Sequence, residues 1–163
     1  MPAVISNTSP LQYLYQAEAL ALLPKLFGEI WVPEAVVAEI QAGHNCNVSL
    51  PELDTLPWLE VHPVQQRAAL PLVTHLGEGE KEVLALGLEF PDSLLLFDDR
   101  NARRHANALS LKITGTLGVL LLAKQRGNLD AVRPVLDRLD ALGFRLDGDT
   151  RQTVLRLAHE QLV

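Results

Sequence analysis

The chain predicts an α/β fold with a mostly parallel sheet, and three observations carry that prediction. Short apolar runs bounded by polar residues alternate with segments of helical periodicity, the pattern of strands joined by crossover helices. One run, Leu94-Leu95-Leu96-Phe97 behind Ser93, is unbroken, as in a strand buried on both faces. It ends in Asp98-Asp99 and turns at once into the helix-like Arg100-Asn101-Ala102-Arg103-Arg104-His105. In open parallel sheets, ligand chemistry gathers just beyond the carboxyl ends of the strands. At 163 residues without repeat or linker, one domain over 1–163 with its own core is expected.

Taken in order, Ala3-Val4-Ile5-Ser6 reads as the first strand, stopped by Asn7-Thr8-Ser9-Pro10. Ser9 suits an N-cap and Pro10 a first helical residue. Leu11, Leu14, Ala17, Leu20 and Ala21 recur at helical spacing as far as Leu23, and Pro24 is expected to break the helix. Glu29-Ile30-Trp31-Val32 is a second strand, closed by Pro33. A helix from Glu34 to a terminal Gly43 comes next, then a loop over 44–57 with Pro51 and Pro57. Residues 58–62 alternate weakly, as an edge strand does.

From Leu76 to Leu88 an acidic first turn complements a helix dipole, and Val83, Leu84, Leu86 and Leu88 give the buried side. Glu78 and Glu82 are expected in solvent there. The strand at 93–97 leads to a helix over 102–109 and a small strand, Lys112-Ile113-Thr114. An apolar helix runs from Gly115-Thr116 to Gly127. Asp130 should cap an amphipathic helix closed by Gly143, and a last helix should run from about Asp149 to Leu162.

Hydrophobic residues make up 48% and charged residues 21%, ordinary for a soluble protein. A net charge of -6 and a pI near 5.3 argue against a broad basic face coating nucleic acid. A local basic strip remains compatible. The single cysteine, Cys46, has no internal partner, so a reducing, cytoplasmic compartment is expected. No Cys/His spacing suggests zinc, and any metal should be a hard cation held by oxygen. No signal-peptide pattern and no run of 18 apolar residues is present, so no membrane partner is expected.

Folded as such a sheet, the chain brings Asn7, Glu39, Glu80, Asp98 and Asp99 toward one crevice. Like charges so placed repel, and a divalent cation relieves the repulsion. Arg100, Arg103 and Arg104, one turn on, suit phosphate. The plainer alternative is a solvated Asp-Asp turn capping the next helix, with Glu39 an exposed helix charge. His105, Trp31 and Trp58 suit packing better than chemistry. A receiver-like or phosphatase reading lacks the nucleophilic aspartate after the first strand, where Asn7 stands.

Five stretches in order resemble the PIN-domain ribonucleases, in the branch of small prokaryotic proteins related to the toxins of toxin–antitoxin pairs. They are Val4-Ile5-Ser6-Asn7-Thr8-Ser9-Pro10-Leu11, Val32-Pro33-Glu34 through Glu39-Ile40, and Leu76-Gly77-Glu78-Gly79-Glu80. Leu94 through Arg103 and Gly115-Thr116-Leu117-Gly118-Val119-Leu120 complete the set. The resemblance implies a three-layer α/β/α fold and Mg²⁺- or Mn²⁺-dependent hydrolysis of RNA phosphodiesters. It puts Glu39, Glu80 and Asp99 at acidic positions of the family, with Asp98 able to share or replace the role of Asp99. Thr8 and Ser9 would bond a phosphate or a metal water, and Arg100, Arg103 and Arg104 the RNA backbone. RNA, an antitoxin protein and a second copy of the chain are the implied partners. Asn7 departs from the pattern, standing where the family has its first-strand aspartate. An amide carbonyl can ligate magnesium without adding charge. The alternative implied is a catalytically impaired module that binds RNA or protein.

Overall fold

In the computed structural model, which describes residues 2–66 and 76–161, five parallel strands form one sheet in the order β3-β2-β1-β4-β5. The strands are β1 (Val4–Ser6), β2 (Ile30–Val32), β3 (Leu59–Val61), β4 (Leu94–Leu96) and β5 (Lys112–Thr114). Among the described residues, eight α-helices flank the sheet, giving the α/β/α sandwich. They are α1 (Thr8–Gln16), α2 (Leu22–Phe27), α3 (Glu34–Asn45), α4 (Glu78–Glu89), α5 (Arg100–Ala108), α6 (Thr116–Gln125), α7 (Arg133–Ala141) and α8 (Gly148–Leu157).

The continuous apolar runs take the middle of the sheet. Ile5 pairs with Trp31 on one side and Leu95 on the other, and Ile5, Leu95, Leu96 and Phe97 are fully buried. Each such side chain contributes ~1.5–3 kcal/mol through burial alone. The weakly alternating β3 lies at the edge, with Glu60 and Val61 exposed. Leu84 and Leu86 of α4 join the same core, which anchors that helix beside β1 and β4.

Several element ends differ from the sequence expectation, each for a local reason. Helix α1 starts at Thr8, not Pro10, because Asn7 keeps extended backbone and its N–H still bonds Leu96 O at 3.1 Å. The break after α1 falls at Glu18, whose φ of 60° ends the helix, rather than at Pro24. Pro24 sits in the first turn of α2, where a missing N–H costs nothing. Helix α3 passes Gly43 and ends at Asn45, with Cys46 as its C-cap. Helix α5 begins two residues before the expected start. Helix α7 starts at Arg133, and its first N–H groups are capped by Glu160 instead of Asp130: Val132 N donates at 2.7 Å and Arg133 N at 3.1 Å. The last helix stops at Leu157, and Leu162 lies outside the described residues.

Candidate active site

Strand order reverses between β1 and β4, so a crevice opens beyond their carboxyl ends. Asn7 follows β1 and Asp98-Asp99 follow β4, which puts these three residues at its floor. Asn7 is 6% exposed, occupies the N-cap position of α1 without capping it, and its Oδ1 has no hydrogen-bond partner. Glu39 reaches the same place from α3. Its Oε1 accepts from Thr8 Oγ1 at 2.6 Å, and its Oε2 from Gly79 N at 3.3 Å. Gly79 permits this approach: a Cβ there would collide with the Glu39 carboxylate and lie 3.2 Å from Asn7 Oδ1.

Glu80, next along α4, folds back so that its Oε1 accepts from Gly77 N at 3.2 Å. Its Oε2 is buried and has no partner. Burial pushes the Glu80 pKa above the ordinary value of 4.5, and the nearby Asp99 and Glu39 carboxylates push the same way against the Gly77 N–H.

The adjacent aspartates do different work. Both oxygens of Asp98 are engaged: Oδ1 accepts from Thr116 N at 2.8 Å, and Oδ2 from Thr116 Oγ1 at 2.7 Å and Ser9 Oγ at 3.1 Å. Asp98 therefore ties α1 and α6 to the end of β4. Asp99 caps α5 through Oδ1 alone, accepting from Asn101 N at 2.7 Å and Ala102 N at 3.1 Å. Its second oxygen is left over.

These floor residues open into a cleft of about 870 Å³. One wall is the start of α5, with Arg100, Arg103 and Arg104; the other is α1 and the α7–α8 loop, with Tyr13, Phe144 and Arg145. Asp147 lies near Arg100 and caps α8, accepting from Thr150 N at 2.7 Å. That backbone bond and the Thr150 hydroxyl hold its carboxyl below the usual range against desolvation, with a lesser contribution from Arg100.

Of the residues singled out from sequence, Asn7, Ser9, Glu80, Asp98, Asp99, Arg100, Arg103 and Arg104 line this cleft. Glu39 and Thr8 stand behind it, bonded to each other. Ser9 does not cap α1 but bonds Asp98. Glu82 overturns the expectation of a solvated charge: it is 6% exposed, and its Oε1 accepts from Ala35 N at 3.0 Å. Among the described residues, no three cleft acids offer oxygens within 4.8 Å of one another; Glu29, Glu60 and His62 do, on the β2–β3 edge. There Trp31 stacks on His62, with centroids 3.7 Å apart, and donates to Glu29 at 2.6 Å.

Sequence reasoning quoted Gly79 only as part of the third family-like stretch and passed over Tyr13, Phe144 and Arg145. Only Phe144 carried a signal, since it directly follows Gly143, the helix-closing glycine. Gly143 has φ of 84°, Gly143 N bonds Asp140 O and Phe144 N bonds Leu139 O, the paired bonds of a Schellman end.

Comparison with known proteins agrees with this architecture. The family model described as DUF3368, PIN domain, matches residues 3–160. A solved PilT N-terminus domain protein from the hyperthermophilic archaeon Sulfolobus solfataricus superposes with a TM-score of 0.52. It is 18% identical, over 73% of this chain and 90% of that one, a likeness of fold. No curated protein matches the chain. No helix among the described residues is long and apolar enough to cross a membrane.

Proposed function

Because the chain belongs to the PIN-domain family, whose members are generally nucleases that use a divalent metal, we propose that it is a Mg²⁺- or Mn²⁺-dependent endoribonuclease. The observation that carries this reading is the pair of buried oxygens at the crevice, Asn7 Oδ1 and Glu80 Oε2, without any hydrogen-bond partner. A buried polar atom left unpaired costs on the order of 1–3 kcal/mol, and a cation or its water removes that cost. The donors are all oxygen, which suits a hard cation. Asn7, Glu80 and the uncommitted oxygen of Asp99 would hold the ion, with Glu39 behind them. Asp98 is spent on Ser9 and Thr116 and serves as a structural tie.

Such an ion, when bound, supplies water of lowered pKa and positive charge against the phosphate. The chain contributes Arg100, Arg103 and Arg104 to hold the RNA backbone, and Asp99 keeps their helix oriented at the floor. The toxin role beside an antitoxin partner and pairing as a homodimer belong to the same reading, and rest on the resemblance of the five stretches. The cytoplasmic setting rests on the lone cysteine. A second reading, an impaired RNA- or protein-binding module, is favoured by one observation: Asn7 brings no charge.

Replacing Asn7 by aspartate separates the two. Asn7→Asp should tighten Mn²⁺ binding roughly tenfold, because ligand charge tunes affinity. It should raise cleavage of a labelled RNA and lower the melting temperature in chelator, where the new charge joins Glu39 and Glu80. Calorimetric titration, a cleavage assay and thermal unfolding read the three effects. Unchanged Mn²⁺ affinity together with unchanged cleavage would take Asn7 out of the metal site and remove the support for a nuclease.

A further inference from the structure

We propose that Tyr13 and Phe144 form a nucleobase subsite on the cleft wall, taking one unpaired base of a single strand whose phosphates meet the arginines. The proposal rests on the nuclease reading and adds to it what the wall opposite α5 recognises. Both rings rest against the hydrophobic core on one side, and on the other they line a cleft whose remaining residues are mostly polar or charged. The rings touch edge to face, with centroids 5.0 Å apart and planes at 82°, and both stay half-buried in the cleft lining. Neither is loosely held. Phe144 is fixed by the two backbone bonds that close α7. Tyr13 lies one turn after Ser9 on α1, and Ser9 is bonded to Asp98. The aromatic wall thus keeps a set distance from the acids.

Charge points to the same occupant. Four of the chain's ten arginines line this cleft, above floor acids of which Asp98 and Asp99 are already hydrogen-bonded. Outside the cleft, Arg126, Arg133 and Arg138 donate to backbone carbonyls and Arg151 pairs with Asp137, while Arg156 stands in solvent. Among the described residues, Arg104 and Arg145 make no hydrogen bond or ion pair with protein. Free guanidinium beside an aromatic pair is the combination that holds a single strand, phosphate to cation and base to ring. A base within a duplex is already stacked and cannot enter a recess. The volume of about 870 Å³ lies within the roughly 300–1,000 Å³ of clefts that take small organic groups. An apolar residue after the closing glycine of α7 explains Phe144 as helix-end packing, but does not call for Tyr13 and Arg145 on the same wall.

The test is binding of a fluorescent single-stranded RNA octamer in EDTA, against a fully abasic ribose-phosphate chain of equal length. Wild type should prefer the base-bearing octamer by about fivefold or more, the range of one base–aromatic contact. Phe144→Ala should remove most of that preference, Phe144→Trp should keep it, and the same sequence as duplex should bind no better than the abasic chain. Equal weakening of both oligomers by Phe144→Ala, or no effect on the base-bearing one, would overturn the subsite while leaving the nuclease reading in place. Failure of wild type to bind either oligomer would bring down both.

Discussion

Glu80 shows how one buried carboxylate reports on a site. Its pKa is raised by burial first, and then by Asp99 and Glu39. An acid raised in the folded state stabilises the fold below its unfolded pKa, near 4.5, and loses that contribution as pH rises through the folded value. At pH 7 the ionised group therefore weighs against the metal-free protein. Glu80→Gln, which keeps an oxygen for Gly77 N–H, should raise stability in EDTA at pH 7 by up to about 1 kcal/mol, the side chain being partly solvated. The gain should fade below pH 4.5, where wild type is also neutral. With millimolar Mn²⁺ present the order should reverse, since only wild type has a charge to offer the ion. Thermal unfolding at two pH values, with and without metal, reads all of this. A gain of equal size at pH 4 and pH 7 would mean that Glu80 is not the strained acid.

At the scale of elements, acids cap helices to which they do not belong. Glu82 of α4 caps α3 at Ala35 N, Asp98 caps α6 at Thr116 N, and Glu160 caps α7. Each places a carboxylate at the positive end of a helix dipole and satisfies an orphan donor. The contact between α3 and α4 goes further, because Gly79 leaves room for Glu39. Alanine in a helix is ordinarily better than glycine by about 1 kcal/mol. Gly79→Ala should nevertheless fail to stabilise here, since Glu39 must leave Thr8 Oγ1 and Gly79 N, and Mn²⁺ affinity should drop. In a Glu39→Ala background the same change should stabilise by up to about 1 kcal/mol. Urea unfolding of the four proteins gives the cycle, and additive effects would show that the glycine is not there for Glu39.

At the scale of the molecule, an acidic protein gathers four arginines in one cleft whose lining also holds four acids, and this limits how it meets RNA. Four arginines can neutralise at most four phosphates, and each contributes about 0.7 to the salt slope for a single strand. The slope of log affinity against log salt should therefore be no steeper than about -3. Filter binding in EDTA between 50 and 200 mM salt measures it. A slope near zero would exclude phosphate from the arginine wall, and one twice as steep would require a basic surface outside this cleft.

Strand class, parallel pairing and the order of helices and strands could be read directly from the chain. Apolar runs and helical periodicity report how much of each element faces water, and β1 and β4 take the centre because their apolar residues lie on both faces. The position of Asn7, Asp98 and Asp99 at strand ends followed from that alone. Tertiary structure decided the rest, because hydrogen-bond partners far apart in sequence leave no periodic trace. Asp98 and Asp99 are neighbours with the same side chain, yet only packing against Ser9 and Thr116 separates their roles. Glu82 reads as a solvated charge until α3 lies across it. Tyr13 and Phe144 share a wall although they stand far apart along the chain, since the closing turn of α7 lays one ring against the other.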